Sequence, residues 1–151
     1  NRHHPCAQPF QTLLPRGFIM YSTKVESTHL DMFGHVNNAR FLEYFEWARW
    51  AWARELGVDF LRYIDEGTAP AAVRMEVNFL RELRFNEVLQ IETRLFGIGT
   101  KSFDLVQELS VDGGSLSATL KVKLVFMDVR TRRAVPIPGQ FMDVLNTLKE
   151  S

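Results

Sequence analysis

The residues Asp31-Met32-Phe33-Gly34-His35-Val36-Asn37-Asn38 gather the types that chemistry uses, and an aromatic helical pattern follows at once. An acid, an imidazole, a glycine and two carboxamides can supply a base, hydrogen-bond donors and a sharp backbone bend. Behind them Phe41, Tyr44, Phe45, Trp47, Trp50 and Trp52 offer apolar walls. An acid at the mouth of such a helix suits a substrate that is polar at one end and apolar at the other. The competing reading is structural. Acids and asparagines ahead of a helix commonly cap it, accepting hydrogen bonds from backbone N–H groups that lack an internal partner.

The elements that would position this stretch follow from periodicity. Asn37 or Asn38 caps the helix, and Gly57 stands where a left-handed residue closes one. Phe41, Phe45, Ala48 and Trp52 recur at the 3.6 period, with Leu42, Ala51 and Leu56 widening the stripe. Arg40, Glu43, Glu46, Arg49 and Arg54 are expected on the opposite, solvated side, with Arg40–Glu43 and Glu46–Arg49 as pairs three apart. Residues 18–25 read as a strand, and residues 59–66 as a short helix or turn.

After Pro70 the period changes to 2, and Val73, Met75, Val77 and Phe79 are expected on the buried face of a half-buried strand. Further runs follow at Leu89, Ile91, Thr93 and Leu95; at Phe103, Leu105, Gln107 and Leu109; and from Leu116 through Leu120 and Leu124 to Phe126. Gly97 and Gly99 break or bulge the chain, and Asp112-Gly113-Gly114 is a hairpin signal. A basic turn spans Arg130 to Arg133, a stiff extended piece follows at 135–138, and residues 140–150 close as a short helix. The short links predict antiparallel neighbours. Their apolar face needs a cover, and the aromatic helix is the element long enough. The class is α+β, a hotdog fold in which an antiparallel β-sheet wraps one long central α-helix.

At 151 residues and 46% hydrophobic, the chain suits one domain over residues 17–151 behind a loose N-terminal arm, residues 1–16. His3, His4 and Cys6 in that proline-flanked arm read as incidental rather than as metal ligands. Eighteen basic and 18 acidic side chains cancel, which argues against a broad nucleic-acid surface. A single cysteine permits no intrachain disulfide. No apolar run approaches the ~18 residues of a membrane span, and the first residues lack the order of a secretory signal. The expectation is a soluble, cytoplasmic protein without membrane insertion.

The run from His29-Leu30-Asp31 through Gly34-His35-Val36-Asn37-Asn38 to Glu43-Tyr44 resembles the 4-hydroxybenzoyl-CoA thioesterase family of hotdog proteins, which opens its helix with Asp-x-x-Gly, often Asp-x-x-Gly-His-Val-Asn-Asn. Within it the likeness is nearest to bacterial long-chain acyl-CoA thioesterases, which also carry His-Leu-Asp; other members commonly have Asp-x-Asp, so His29 replaces the first acid. The likeness spans roughly residues 18–138, including Asn78 to Glu87, where Glu82 and Asn86 depart from the usual Pro and Gly, and the Gly99-Thr100-Lys101-Ser102 stretch.

The resemblance implies hydrolysis of an acyl-CoA thioester without metal or redox cofactor. Asp31 would attack directly or activate water. The backbone N–H of Asn38, alone or with a neighbour, would hold the thioester oxygen as charge develops at the positive end of the helix dipole. Gly34 would let the backbone bend and the substrate approach, His35 would fix the Asp31 turn in preference to a proton-transfer role, and His29 would either stand in for the missing acid as a positioning group or be an exposed bystander. Thr100, Lys101 and Ser102 lie where the family meets the nucleotide, and Arg130, Arg132 and Arg133 form the densest basic cluster for its phosphates, unless they are only a solvated turn. Glu43 is a minor candidate, since an acid on this helix acts across a subunit boundary in some relatives. The family's habit of building its site at a dimer interface implies a homodimer or homotetramer.

Three other functions compete with hydrolysis of a fatty acyl-CoA. An aromatic acyl-CoA is an alternative substrate. A hotdog dehydratase ranks low, because its His-x4-Pro-Gly-type loop is absent. A non-catalytic acyl-CoA or fatty-acid carrier would have no need of the acid in Asp-x-x-Gly.

Overall fold

The structure is a computed structural model that describes residues 19–112 and 114–149. The expected arm with His3, His4 and Cys6, and Gly113 of the hairpin signal, lie outside the described residues.

Five antiparallel strands form one sheet in the order β1-β3-β4-β5-β2. They are β1 (Ile19–Lys24), β2 (Thr68–Phe79), β3 (Val88–Ile98), β4 (Ser102–Val111) and β5 (Leu116–Asp128). The long helix α1 (Asn38–Glu55) lies against one face, followed by α2 (Phe60–Asp65), and α3 (Gly139–Lys149) ends the described chain. This is the hotdog arrangement, and the α+β expectation holds.

The topology corrects one expectation. Consecutive strands β3, β4 and β5 are neighbours, but β2 pairs with β5 and β3 with β1, so β2 and β3 lie apart in the sheet. Residues 80–87 therefore carry the chain across from one side of the sheet to the other. They can do so because the sheet curls around α1. That crossing passes the start of α1, where Val36 N–H donates to the Leu83 carbonyl at 3.1 Å and Val25 N–H to Glu87 at 3.0 Å.

The period-2 reading of β3, β4 and β5 is observed as burial: Leu89, Ile91, Thr93, Phe103, Leu105, Gln107, Leu109, Leu120, Val122 and Phe126 all face inward. A register shift between Leu95 and Gly97 is the bulge that Gly97 signalled. In β2 the expected burial fails. The strand begins earlier, at Thr68, carries a register shift between Ala72 and Arg74, and leaves Val73, Met75 and Phe79 exposed. It is an edge strand, with one side unpaired in the single chain.

Helix α1 buries Phe41, Tyr44, Phe45, Ala48, Ala51 and Trp52. Asn37 is its N-cap, accepting from Ala39 N at 2.7 Å, and Gly57 takes φ 76° past its C-terminus. Arg40 and Glu43 pair at 2.6 Å as expected, whereas Arg49 turns inward, 8% exposed, and forms no ion pair with Glu46. Its place is decided by a polar residue on the inner face of β4: Arg49 Nη1 donates to Gln107 Oε1 at 3.1 Å. α3 shares the covering work, because Phe141 is fully buried and packs edge-on to Phe103 at 5.1 Å between ring centres.

Candidate active site

The approach to α1 is a tight turn built around Asp31. Its Oδ1 accepts from the backbone N–H of Phe33 at 2.9 Å and of His35 at 3.2 Å. Backbone bonds from Gly34 to Asp31 (3.0 Å) and from Asp31 to the His35 carbonyl (2.9 Å) close the turn, and Leu30 bridges to Val36. Gly34 has φ 80°, a left-handed conformation in which a Cβ is strained. With Oδ1 anchored twice, Oδ2 has no protein partner among the described residues. A carboxylate held by one oxygen keeps its second for a water or a carbonyl carbon. Phe33 and Met32 are exposed at the tip of the turn.

Three neighbours fix this turn. His35 Nε2 lies 3.0 Å from Glu82 Oε2, with both side chains close to half exposed, so the imidazole ties the turn to the 80–87 crossing. Val36 adds the backbone bond to Leu83. His29, two residues before Asp31, takes the Glu26 N–H on Nδ1 at 3.2 Å and the Tyr44 hydroxyl on the same nitrogen at 2.9 Å. A backbone N–H only donates, so Nδ1 is an acceptor here; the neutral ring then carries its proton on Nε2. Tyr44 is fully buried beneath it, and burial pushes its phenol up to about 12, which keeps the hydroxyl a donor.

At the helix mouth the backbone donors are already divided. Ala39 N–H is taken by the Asn37 side chain and Arg40 N–H by the Asn37 carbonyl. The Asn38 N–H has no protein partner among the described residues, so it is a free donor at the helix N-terminus. Of its neighbours, the Ala39 N–H is occupied by the Asn37 cap.

Thr100, Lys101 and Ser102 form the β3–β4 turn, where Gly99 N–H donates to the Ser102 carbonyl at 2.7 Å and Ile137 N–H to Thr100 at 3.0 Å. Arg132 and Arg133 belong to the next turn along the same end of the sheet. Arg132 has φ 63°, and the Asp128 carboxylate caps that turn by accepting from Arg130 N at 2.8 Å and Thr131 N at 2.9 Å. Those bonds hold the Asp128 carboxyl below its usual range. Ser102 adjoins Phe103, which stacks on Trp52 late in α1. Asn38 and Trp52 are fourteen residues apart, roughly 21 Å along the axis at 1.5 Å per residue. One chain therefore brings Asp31, Gly34, His35 and Asn38 together, and leaves Thr100–Ser102, Arg132 and Arg133 at the far end.

Residue-type reasoning missed Glu82 and Tyr44 as supports of the turn, and Gln107 as a polar hub. Gln107 did carry a signal: it is the one amide among the inward positions of β4.

The fold and this helix-entry turn define a hotdog protein of the thioesterase type. The sequence profile of the thioesterase-like superfamily matches residues 25–145, and the chain belongs to that superfamily. It is 30% identical over 126 residues to the long-chain acyl-CoA thioesterase FadM of Escherichia coli, covering 83% of this chain and 95% of FadM. Among solved structures it is similar to the 1,4-dihydroxy-2-naphthoyl-CoA thioesterase Slr0204 of Synechocystis, with TM-score 0.80, 19% identity, and coverage of 87% and 98% of the two chains. It is also similar to the Staphylococcus aureus protein SAV2348, solved in complex with CoA, with TM-score 0.82, 17% identity, and coverage of 91% and 87%. Membership of a family of thioester hydrolases is what the Asp-x-x-Gly motif implied. No helix among the described residues is long and apolar enough to cross a membrane.

Proposed function

We propose that this chain hydrolyses fatty acyl-CoA thioesters of medium to long chain, releasing the acid and CoA. The supporting observation is the Asp31 carboxylate, anchored through Oδ1 to two backbone donors, in the turn that leads into α1, with neither its Oδ2 nor the Asn38 N–H partnered among the described residues. Oδ2 either attacks the thioester carbon, giving an anhydride that water opens, or takes a proton from an attacking water. In both routes the carbonyl oxygen gains negative charge, and the Asn38 N–H at the helix N-terminus stabilises it. The thiolate of CoA leaves and is protonated from solvent. Similarity to FadM favours the fatty acyl substrate over an aromatic one.

The working unit in this reading is a homodimer or a pair of dimers. A second copy set antiparallel along the open edge of β2 would bring its own Thr100–Ser102 and Arg132–Arg133 toward Asp31, supplying cations for the CoA phosphates that this chain places too far away. The experiment is thiol release from a graded acyl-CoA series by the native chain and Asp31→Asn. The asparagine keeps an oxygen for Phe33 and His35 N–H, so it folds, and its rate should fall by about 100-fold or more. An unchanged rate removes Asp31 from the chemistry. Tight acyl-CoA binding without thiol release would make the protein a carrier.

A further inference from the structure

Arg49 is the least expected residue in the core. It is 8% exposed on α1, and its one side-chain hydrogen bond among the described residues is to Gln107 Oε1. The orientation of Gln107 is fixed from the other side: its Nε2 donates to the Phe45 carbonyl at 3.0 Å and to Thr93 Oγ1 at 2.9 Å. Gln107 therefore offers Arg49 its oxygen and nothing else. A guanidinium has five N–H donors, so most of those on Arg49 have no protein partner among the described residues. No carboxylate there forms an ion pair with it. Burial lowers its pKa, with Glu46 pulling the other way.

Arg49 also lines a cavity of about 90 Å³ between α1 and the sheet, otherwise walled by apolar groups such as Trp50, Phe60, Leu105 and Leu124, with Glu46 at its exposed margin. The cavity has room for roughly three waters' share of volume, which also fits a carboxylate group with its first carbons. A desolvated cation with spare planar donors beside apolar walls is the arrangement that takes a carboxylate with two parallel hydrogen bonds.

We propose that the Arg49 cavity is a carboxylate-binding subsite, accepting either a short free organic acid or a carboxylate carried at the far end of an acyl group. The second source rests on the acyl-CoA hydrolase reading above; the first does not. Asn38 and Arg49 are eleven residues apart on α1, roughly 16 Å at 1.5 Å per residue, so within one chain the subsite is distinct from that chain's Asp31 turn. Glu46 sets the sign of a second effect: its charge at the margin opposes an incoming anion, so neutralising it should improve binding.

The test uses the native full chain, with the tryptophan indole and arginine Nε–H NMR signals as the readout, titrated with butyrate and separately with butyramide of the same shape. Butyrate should shift the Arg49 and Trp50 signals to saturation and butyramide should not. Glu46→Gln should bind butyrate about two- to fivefold more tightly, and Arg49→Gln at least about tenfold more weakly. Equal responses to butyrate and butyramide, or no saturable response, would overturn the subsite without reference to any variant's folding. Thiol release then assigns the source. A higher kcat/KM for acyl-CoAs bearing a terminal carboxylate than for methyl-ended ones of equal length identifies the acyl end; equal values beside butyrate binding identify a free acid. If no acyl-CoA is hydrolysed and butyrate still binds, the hydrolase reading fails and the subsite stands.

Discussion

The Tyr44 hydroxyl lies 2.9 Å from His29 Nδ1, joining a fully buried helix residue to the segment that leads into the Asp31 turn. Because the Glu26 N–H points at the same nitrogen, His29 acts through Nδ1 as an acceptor, and Nε2 has no protein partner among the described residues. The ring also packs against Tyr44 and Trp47, with centroids 5.4 and 5.9 Å away. The missing first acid of the Asp-x-Asp pattern is thus replaced by a residue that faces the protein with one nitrogen and leaves the other spare.

Substitutions at His29 separate the two nitrogens. Asparagine places an oxygen near the Nδ1 position, and glutamine places its amide near Nε2. If His29 serves the fold, His29→Asn should keep most of the stability and His29→Gln should lose about 1 kcal/mol, measured by urea melts. Tyr44→Phe should cost a similar amount while leaving the ring packing intact. A glutamine variant that keeps kcat while the asparagine variant loses it would instead place the function on Nε2–H.

The His35–Glu82 contact gives a second prediction. Both side chains are nearly half exposed, so the pair is worth little to global stability, about 0–1 kcal/mol. Its effect should fall on the geometry of the turn that holds Asp31. Glu82→Gln should leave the melting midpoint nearly unchanged and lower kcat severalfold. A variant that loses stability and keeps kcat would show that the pair serves the fold alone.

Gln107 should be far more costly to replace. It serves Arg49, the Phe45 carbonyl and Thr93 Oγ1 from a site that is 1% exposed. Gln107→Leu preserves the shape and leaves three buried polar groups short of a partner, with an expected loss of about 2–4 kcal/mol in urea melts. Thr93→Val removes one bond and should cost less. Equal costs for the two would show that Arg49 is solvated well enough without the amide.

Much of this architecture could be read from residue types, and the exceptions have physical reasons. The inward alternation from Leu89 to Phe126 survived because both the sheet's buried face and its register enforce a period of 2. The Asn37 cap and the left-handed Gly57 were legible because each depends on a few adjacent residues. The pairing of β2 with β5 was not, since loop length says where the chain can go and nothing about how far the sheet curls. Arg49 was placed on the solvated face because three-apart charges usually belong there. What moved it was Gln107, fifty-eight positions away, and no local pattern reports such a partner. Glu82 reached His35 for the same reason, across forty-seven residues.

The last prediction concerns two acids on the outer face of the sheet. Glu92 and Glu108 stand directly opposite each other on β3 and β4, and Glu92 is partly shielded from water. Burial first, and the Glu108 carboxylate second, push the Glu92 pKa above its ordinary value. The folded state therefore holds this proton to higher pH than the unfolded chain does. Where the folded state binds more protons, stability falls as pH rises. The loss should begin near the ordinary carboxylate pKa and be complete once pH passes the raised folded value. Replacing Glu92 by glutamine removes this dependence. At pH 7 Glu92→Gln should stabilise the protein by about 0.2–1 kcal/mol, the cost of like charges directly opposed on neighbouring strands. At a pH below the ordinary carboxylate range the native chain and the variant should unfold at nearly the same urea concentration. Paired urea melts at the two pH values check both halves. A variant less stable than the native chain at pH 7 would mean that the Glu92 charge is met by a cation in solution.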